Sequence, residues 1–302
     1  MNIIETTDLV KKYGNLAAVD HVNMHVPQGS IYGFVGENGS GKTTIMRMLT
    51  GLAEPSEGSY SLFGIAQGQK EIYQVRKQTA AIVELTSLVP TMTAKENLIY
   101  QELYLGVRLT DEQRDDLLNL VHLSDVGNKK VRNFSLGMRQ RLGIALCLIN
   151  KPKLMFLDEP MNGLDPHGIA ELRELLIELN KKEGMTILIS SHILSELEKI
   201  ATHYGFISHG RLLEELTVEE LNEKGRKSLM VSVDNPAKAE EIIKKSKISD
   251  YAISTNGEIR IYDEIDIGGF VASLHENGIK VLSIRSNEES VEEYYLNLIK
   301  GR

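Results

Sequence analysis

Val35-Gly36-Glu37-Asn38-Gly39-Ser40-Gly41-Lys42-Thr43-Thr44 is the stretch on which the reading of this chain turns. Gly36 through Thr43 match the G-x-x-x-x-G-K-[ST] spacing, in which glycines let backbone N–H groups turn inward and cradle phosphate oxygens. That motif needs a strand before it and a helix after it. The apolar run Ile31–Val35 supplies the strand. Ile45–Leu52 predicts the helix, whose N-terminus adds partial positive charge toward an anion. In this arrangement Lys42 reaches the β- and γ-phosphates of a nucleotide and the Thr43 hydroxyl holds a magnesium ion. ATP and Mg²⁺ are therefore the expected cofactors, with Gly36, Glu37, Asn38, Gly39, Ser40, Gly41, Lys42, Thr43 and Thr44 around the phosphates. The bland reading of the same residues is a glycine-rich turn that links strand to helix.

Working outward, Leu154–Leu157 and Thr186–Ser190 are apolar on successive positions, as strands are when helices cover both faces. Short runs of this kind alternate with amphipathic helical patterns through about residue 215, which predicts an α/β domain with a largely parallel sheet. Asp158-Glu159 follow directly on the Leu154–Leu157 run. Two carboxylates at the carboxyl end of a buried strand stand where such sheets bind ligands. Asp158 is the candidate Mg²⁺ ligand and Glu159 the candidate general base, against the simpler reading of a helix-capping acid pair. His192 follows the strand ending at Ser190-Ser191. It is a candidate γ-phosphate contact, or else a structural hydrogen-bonding histidine. From Thr93 to about Asp125 the pattern is helical, and Thr93 with Glu96 and Thr110 with Gln113 each match a capping box. A helical subdomain inserted at about 90–150 is the expectation.

Five motifs in order carry a family resemblance: Gly36–Thr44, Phe134-Ser-Leu-Gly-Met-Arg-Gln-Arg141, Asp158-Glu159, Asn162-Gly-Leu-Asp165 and His192. Over roughly residues 3–213 the chain resembles the ATP-binding cassette ATPases, the motor subunits of ABC transporters, which are P-loop NTPases. The resemblance implies ATP hydrolysis coupled to transmembrane transport, a separate integral membrane permease, and a second ATPase chain in a head-to-tail homodimer. It also implies that Ser135 and Gly137 of one chain cap the γ-phosphate held by its mate, with Leu136, Met138 and Asp165 in the same nucleotide-binding surface; Leu136 and Met138 depart from the commonest L-S-G-G-Q form. Ser135 suits an N-cap, so the helix it starts would aim free N–H groups at a phosphate; a plain loop-to-helix junction is the alternative. Tyr13 stands where relatives offer a ring to adenine, although a core tyrosine fits the same position. Relatives usually carry glutamine at the position of Glu84, near Mg²⁺ and the attacking water. With the Ser135-Leu-Gly-Met-Arg-Gln-Arg-Leu-Gly-Ile-Ala145 run, Glu84 makes the chain similar to the subgroup that serves bacitracin resistance and lantibiotic immunity, exporting antimicrobial peptides.

The 302 residues exceed what one core usually serves. An ATP-binding domain over 1–215 and a C-terminal accessory domain over 216–302 are expected. Beyond a linker helix at Thr217–Glu223, the pattern runs strand (Leu229–Val233), helix (Ala237–Lys245), strand (Tyr251–Ser254), strand (Glu258–Tyr262), helix (Gly269–Asn277), strand (Val281–Ser286). Asn256-Gly257 is a hairpin signal between the middle strands, and a last helix is expected at Val291–Ile299. This order predicts a small α+β module without a catalytic constellation. Net charge −8 and a pI near 5.6 argue against a nucleic-acid partner. One cysteine, Cys147, cannot form an internal disulfide and suits a reducing, cytoplasmic setting. Apolar runs such as Leu154–Leu157 are far too short to span a membrane. Membrane attachment is thus expected to be peripheral, on the cytoplasmic face and through a partner. A soluble cassette ATPase acting on ribosomes or DNA is the competing function; such relatives usually fuse two cassettes or insert long coiled coils, and neither is present here.

Overall fold

The computed structural model describes the chain except residues 85, 86, 226, 247, 255, 256, 301 and 302; of residues 287 and 288 it describes the backbone alone. It divides into two compact units, Met1–Val218 with Leu298–Arg302, and Glu219–Asn297.

The first unit opens with β1 (Asn2–Tyr13), β2 (Leu16–Val22) and β3 (His25–Pro27), and later adds β5 (Glu57–Leu62) and β6 (Ile65–Ala66). These form one antiparallel sheet in the order β2-β1-β5-β6, with β3 also on β1. The sequence reading contains no strand before Ile31, so this sheet is a finding of the structure. Register shifts interrupt β1 against both β2 and β5. They break the alternation of buried and exposed side chains by which a half-buried strand is recognised.

The second sheet positions the site. It has the order β11-β10-β4-β9-β8-β7, from β4 (Ile31–Val35), β7 (Thr79–Ile82), β8 (Leu154–Asp158), β9 (Thr186–Ser191), β10 (His203–Ser208) and β11 (Arg211–Thr217). All pairings are parallel except β10 with β11. Every residue of β4, β8 and β9 is buried, which explains their unbroken apolar runs. Around the sheets lie α1 (Lys42–Leu49), α2 (Ile72–Arg76), α6 (Pro166–Glu183) and α7 (Leu194–Leu197). Helix α1 begins three residues before the expected Ile45, because Gly41, at φ +108°, turns the chain straight into it. Phe34, Ile45, Met46, Phe156 and Leu188 belong to the core between α1 and the strands.

Between β7 and β8 stand α3 (Ala94–Leu105), α4 (Asp111–Leu120) and α5 (Leu136–Leu148). Both expected capping boxes are formed, Thr93 with Glu96 and Thr110 with Gln113, each satisfying two otherwise orphaned N–H groups. A buried ion pair fixes α3 to α4: Arg114 Nε and Nη2 donate to Glu102 at 2.6 and 2.7 Å. After α8 (Val218–Lys224), the second unit comprises β12 (Lys227–Val233), α9 (Pro236–Lys245), β13 (Tyr251–Ile253), β14 (Ile259–Ile261), α10 (Ile267–Glu276), β15 (Val281–Glu288) and α11 (Val291–Lys300) as far as Asn297. Its sheet is antiparallel in the order β13-β14-β12-β15, the split βαβ arrangement. Val231, Ile259 and Ile261 pack against Ile243, Phe270 and Leu274 of α9 and α10. The expected hairpin falls partly outside the described residues, since Asn256 is among those not described; Gly257 has φ +82°.

Candidate active site

Sheet register brings the sequence motifs to one edge. Val35 pairs with Ser191, Asp158 with Ser190, and Ile82 with Leu157, so the carboxyl ends of β4, β9, β8 and β7 are level. The loop after β4 is the Gly36–Gly41 loop. A β-carbon at Gly36 would come within 2.5 Å of the Ile207 carbonyl oxygen and 2.6 Å of Ser40 Oγ, so no larger residue fits there. The turn between β10 and β11 closes the loop from outside: Gly210 N–H donates to Ser40 O at 2.9 Å, and Asp20 N–H donates to Gly210 O at 2.8 Å. Arg211 Nε secures that turn by donating to Asp20 at 2.6 Å.

Inside the loop lies the Lys42 ammonium, buried and donating to the carbonyls of Gly36 at 2.7 Å and Glu37 at 3.0 Å. Burial draws the Lys42 pKa below its usual value; the nearby charges of Glu159 and Asp158 oppose that shift. Its third proton faces Glu159 Oε1, 3.8 Å away. The Thr43 hydroxyl donates to Asp158 Oδ2 at 2.7 Å, and Ser190 Oγ donates to Asp158 Oδ1, also at 2.7 Å. Ser190 Oγ in turn accepts from Glu159 N–H at 2.9 Å. Glu159 has φ +49°, a conformation that a glutamate rarely adopts. His192 holds its carboxylate, with the backbone N–H 3.2 Å and Nδ1 2.6 Å from Oε2. With Nδ1 donating to the carboxylate, Nε2 of a neutral imidazole is left as an acceptor.

Two buried polar atoms here, Ser40 Oγ and Glu159 Oε1, have no hydrogen-bond partner among the described residues. Burying such groups unpaired costs about 1–3 kcal/mol each. They mark a place built for something further, such as a phosphate oxygen or a water. The oxygens of Thr43 and Asp158 form a hard, oxygen-only donor set, which fits Mg²⁺, an ion that takes one or two protein oxygens beside phosphate.

The remaining candidates divide. Ser135 is the N-cap of α5, accepting from Met138 N–H at 3.2 Å, and Asp165 is the N-cap of α6, accepting from Gly168 N–H at 2.9 Å. These two turns adjoin: a β-carbon at Gly163 would stand 3.0 Å from Leu136 Cδ2, and one at Gly137 would stand 3.8 Å from Leu164. Gln140 Nε2 donates to Pro160 O at 3.1 Å, tying α5 to the loop that carries Glu159. No described hydrogen bond joins Ser135–Met138 or Asp165 to the Gly36–Thr44 loop of the same chain. Tyr13, at the end of β1, is half-exposed rather than a core residue, and the Lys11 ammonium lies 5.3 Å from its ring centre. Glu84 pairs with Arg47, whose Nη2 donates to Oε1 at 2.6 Å. No motif marks Ser190, Arg47 or Gly210 as part of the site. Ser190 leaves a trace in the sequence as a hydroxyl ending an apolar run of Thr, Ile and Leu, and Gly210-Arg211 reads there as a turn.

A parallel sheet with a glycine-rich loop, a buried lysine and a strand-end carboxylate pair at one edge defines a P-loop nucleoside triphosphatase. Comparisons narrow the class. A family model described as ABC transporter matches residues 19–162. The bacitracin transport ATP-binding protein BcrA of Bacillus licheniformis is 44% identical over 303 residues, covering 99% of this chain and 98% of that protein. The lantibiotic transport ATP-binding protein SrtF of Streptococcus pyogenes is 44% identical over 213 residues, covering 70% of this chain and 90% of that one. A solved ATP-binding cassette of an ABC transporter, in its ADP conformation, superposes with a TM-score of 0.65 at 26% identity, covering 73% of this chain and 92% of that one. The chain belongs to the ABC transporter family, as an ATP-binding, ATP-hydrolysing cassette.

Proposed function

We propose that this chain is the ATPase motor of an exporter for antimicrobial peptides, acting with a separate membrane permease on its cytoplasmic face. The carrying observation is the joined cluster Lys42–Glu159–His192 and Thr43–Asp158–Ser190 at one sheet edge. The full-length likeness to a bacitracin transport ATP-binding protein and the likeness to a lantibiotic transport one support the cargo class. Among the described residues no helix is long and apolar enough to cross a membrane, so a permease must supply the spans. A cavity of about 210 Å³ between β7, α3 and α5 is lined by Ala81, Ile82, Gln101, Leu105 and Cys147. Exposed Tyr100, Leu103 and Tyr104 on α3 add apolar surface for a permease to cover. The acidic balance speaks against the ribosome or DNA reading.

In this reading residues 1–215 form the catalytic domain and 216–302 an accessory domain. Backbone N–H groups of Gly39–Thr44 and the Lys42 ammonium grip the β- and γ-phosphates, which displaces Lys42 from the carbonyls it now holds. Mg²⁺, when bound, neutralises phosphate charge and draws electrons from the γ-phosphorus. Thr43 and Asp158 hold that ion, with Ser190 keeping the carboxylate in place. Glu159 Oε1, the orphaned acceptor, takes a proton from the attacking water, while Oε2 stays fixed by His192. Ser135–Met138 of a second chain close over the γ-phosphate. Solved dimeric cassettes share this fold, at a TM-score of 0.64 and 24% identity.

The test is Glu159→Gln in the full chain. Retained Mg–ATP binding, loss of turnover by about 10²–10⁴, and an ATP-dependent dimer by light scattering are expected. Turnover near the wild-type rate refutes the base assignment. Co-purification with the membrane subunit and stimulation of ATPase activity by bacitracin or a lantibiotic test the transport role.

A further inference from the structure

Thr43 and Arg47 are four residues apart on α1 and share a face. The Thr43 hydroxyl meets Asp158, and one turn later Arg47 meets Glu84. Glu84 lies two residues past the end of β7, whose Ile82 pairs with Leu157 of β8, the strand that leads into Asp158 and Glu159. Three carboxylates therefore follow the carboxyl ends of the neighbouring strands β7 and β8. Asp158 has two hydroxyls, and Glu159 has His192 and Lys42. Glu84 has the Arg47 guanidinium, and Glu84 is in turn the largest influence holding that guanidinium in its charged form. The backbone at Glu84 has φ +69°, so its direction is imposed by the surrounding structure rather than by local preference.

We propose that Arg47 is a positioning residue, which parks the Glu84 carboxylate against α1 and cancels its charge toward the bound triphosphate. The proposal rests on the ATPase reading and adds a residue that does not touch the substrate. Both partners are partly exposed, 39% and 53%, so the effect is modest and sensitive to salt.

The test compares Mg–ATP affinity, by equilibrium binding of a fluorescent ATP analogue, in wild type, R47Q, R47K, E84Q and R47Q/E84Q, with melting curves as a folding control. R47Q is expected to weaken binding about three- to fivefold at low salt, from the strength of a partly exposed ion pair. The double variant should bind within about twofold of E84Q alone, and R47K should bind close to wild type, because the deficit is one of charge. Raising salt to about 0.5 M should shrink the R47Q deficit. Equal weakening by R47Q in the wild-type and E84Q backgrounds overturns the proposal, as does no weakening in either. A well-folded wild type that binds no Mg–ATP overturns the ATPase reading itself.

Discussion

Replacing Ser190 with alanine isolates one hydroxyl that serves both acids of the site. Ser190 is fully buried; its Oγ donates to Asp158 at 2.7 Å and accepts from Glu159 N–H at 2.9 Å. Alanine removes a hydrogen bond to a carboxylate, worth about 1.5–3 kcal/mol, and orphans a backbone N–H at about 1–3 kcal/mol. The two losses share one atom and do not add fully, so the combined destabilisation is about 3 kcal/mol. For a unit of this size about 2–4 °C accompanies each kcal/mol, which lowers its melting temperature by about 6–12 °C. The relevant transition is the one that Mg–ATP raises, which separates this unit from the C-terminal one. With one hydroxyl gone, Asp158 rotates more freely about its bond to Thr43, and half-maximal turnover should need more Mg²⁺. Thermal melts with and without Mg–ATP, and a Mg²⁺ titration of turnover, measure both effects. A shift below about 1 °C together with an unchanged Mg²⁺ requirement refutes the bridging role.

Lys42→Ala should abolish retention of Mg–ATP on gel filtration and cut turnover by about 10²–10³, since the buried ammonium is the main cation facing the phosphates. Ser135→Ala should destabilise α5 by about 1 kcal/mol through the lost Met138 cap. In a Glu159→Gln background it should also prevent the ATP-dependent dimer seen by light scattering. Arg114→Ala strands the buried Glu102 carboxylate and should cost about 3–5 kcal/mol by urea denaturation at pH 7. Arg114 holds the Glu102 carboxyl below its usual 4.5. The pair's contribution is therefore complete above pH 4.5 and is lost as pH falls through the lowered folded-state value, so the gap between wild type and variant should narrow in acid.

Local rules carried the sequence reading a long way. The loop at Gly36–Thr44, the two capping boxes and the succession of strands and helices in the C-terminal module are each written within short stretches, and turn chemistry or periodicity reads them directly. What escaped is written across the chain. Arg47 meets Glu84 across 37 positions and Ser190 meets Asp158 across 32, and no periodic pattern marks which hydroxyl or guanidinium will arrive beside which acid. Only the parallel register decides that. The N-terminal sheet was missed for another reason, since bulges in β1 blur its alternation. The family resemblance marks Glu84 through the metal that relatives approach there, but its partner is set only by the packing of α1 on β8, from which Arg47 reaches the segment after β7.

The stitching of the phosphate loop to the β10–β11 turn has a thermodynamic consequence. Ser40 O is held by Gly210, Gly210 by Asp20, and Asp20 by Arg211. A loop pinned at Ser40 by the β10–β11 turn, which is itself tied to β2, has fewer torsions left to freeze when a nucleotide arrives. Ordering a slack segment takes about 1–2 kcal/mol per residue; here that entropy was surrendered once, during folding. More of each phosphate contact then survives as affinity, and the cradle keeps its shape between one turnover and the next.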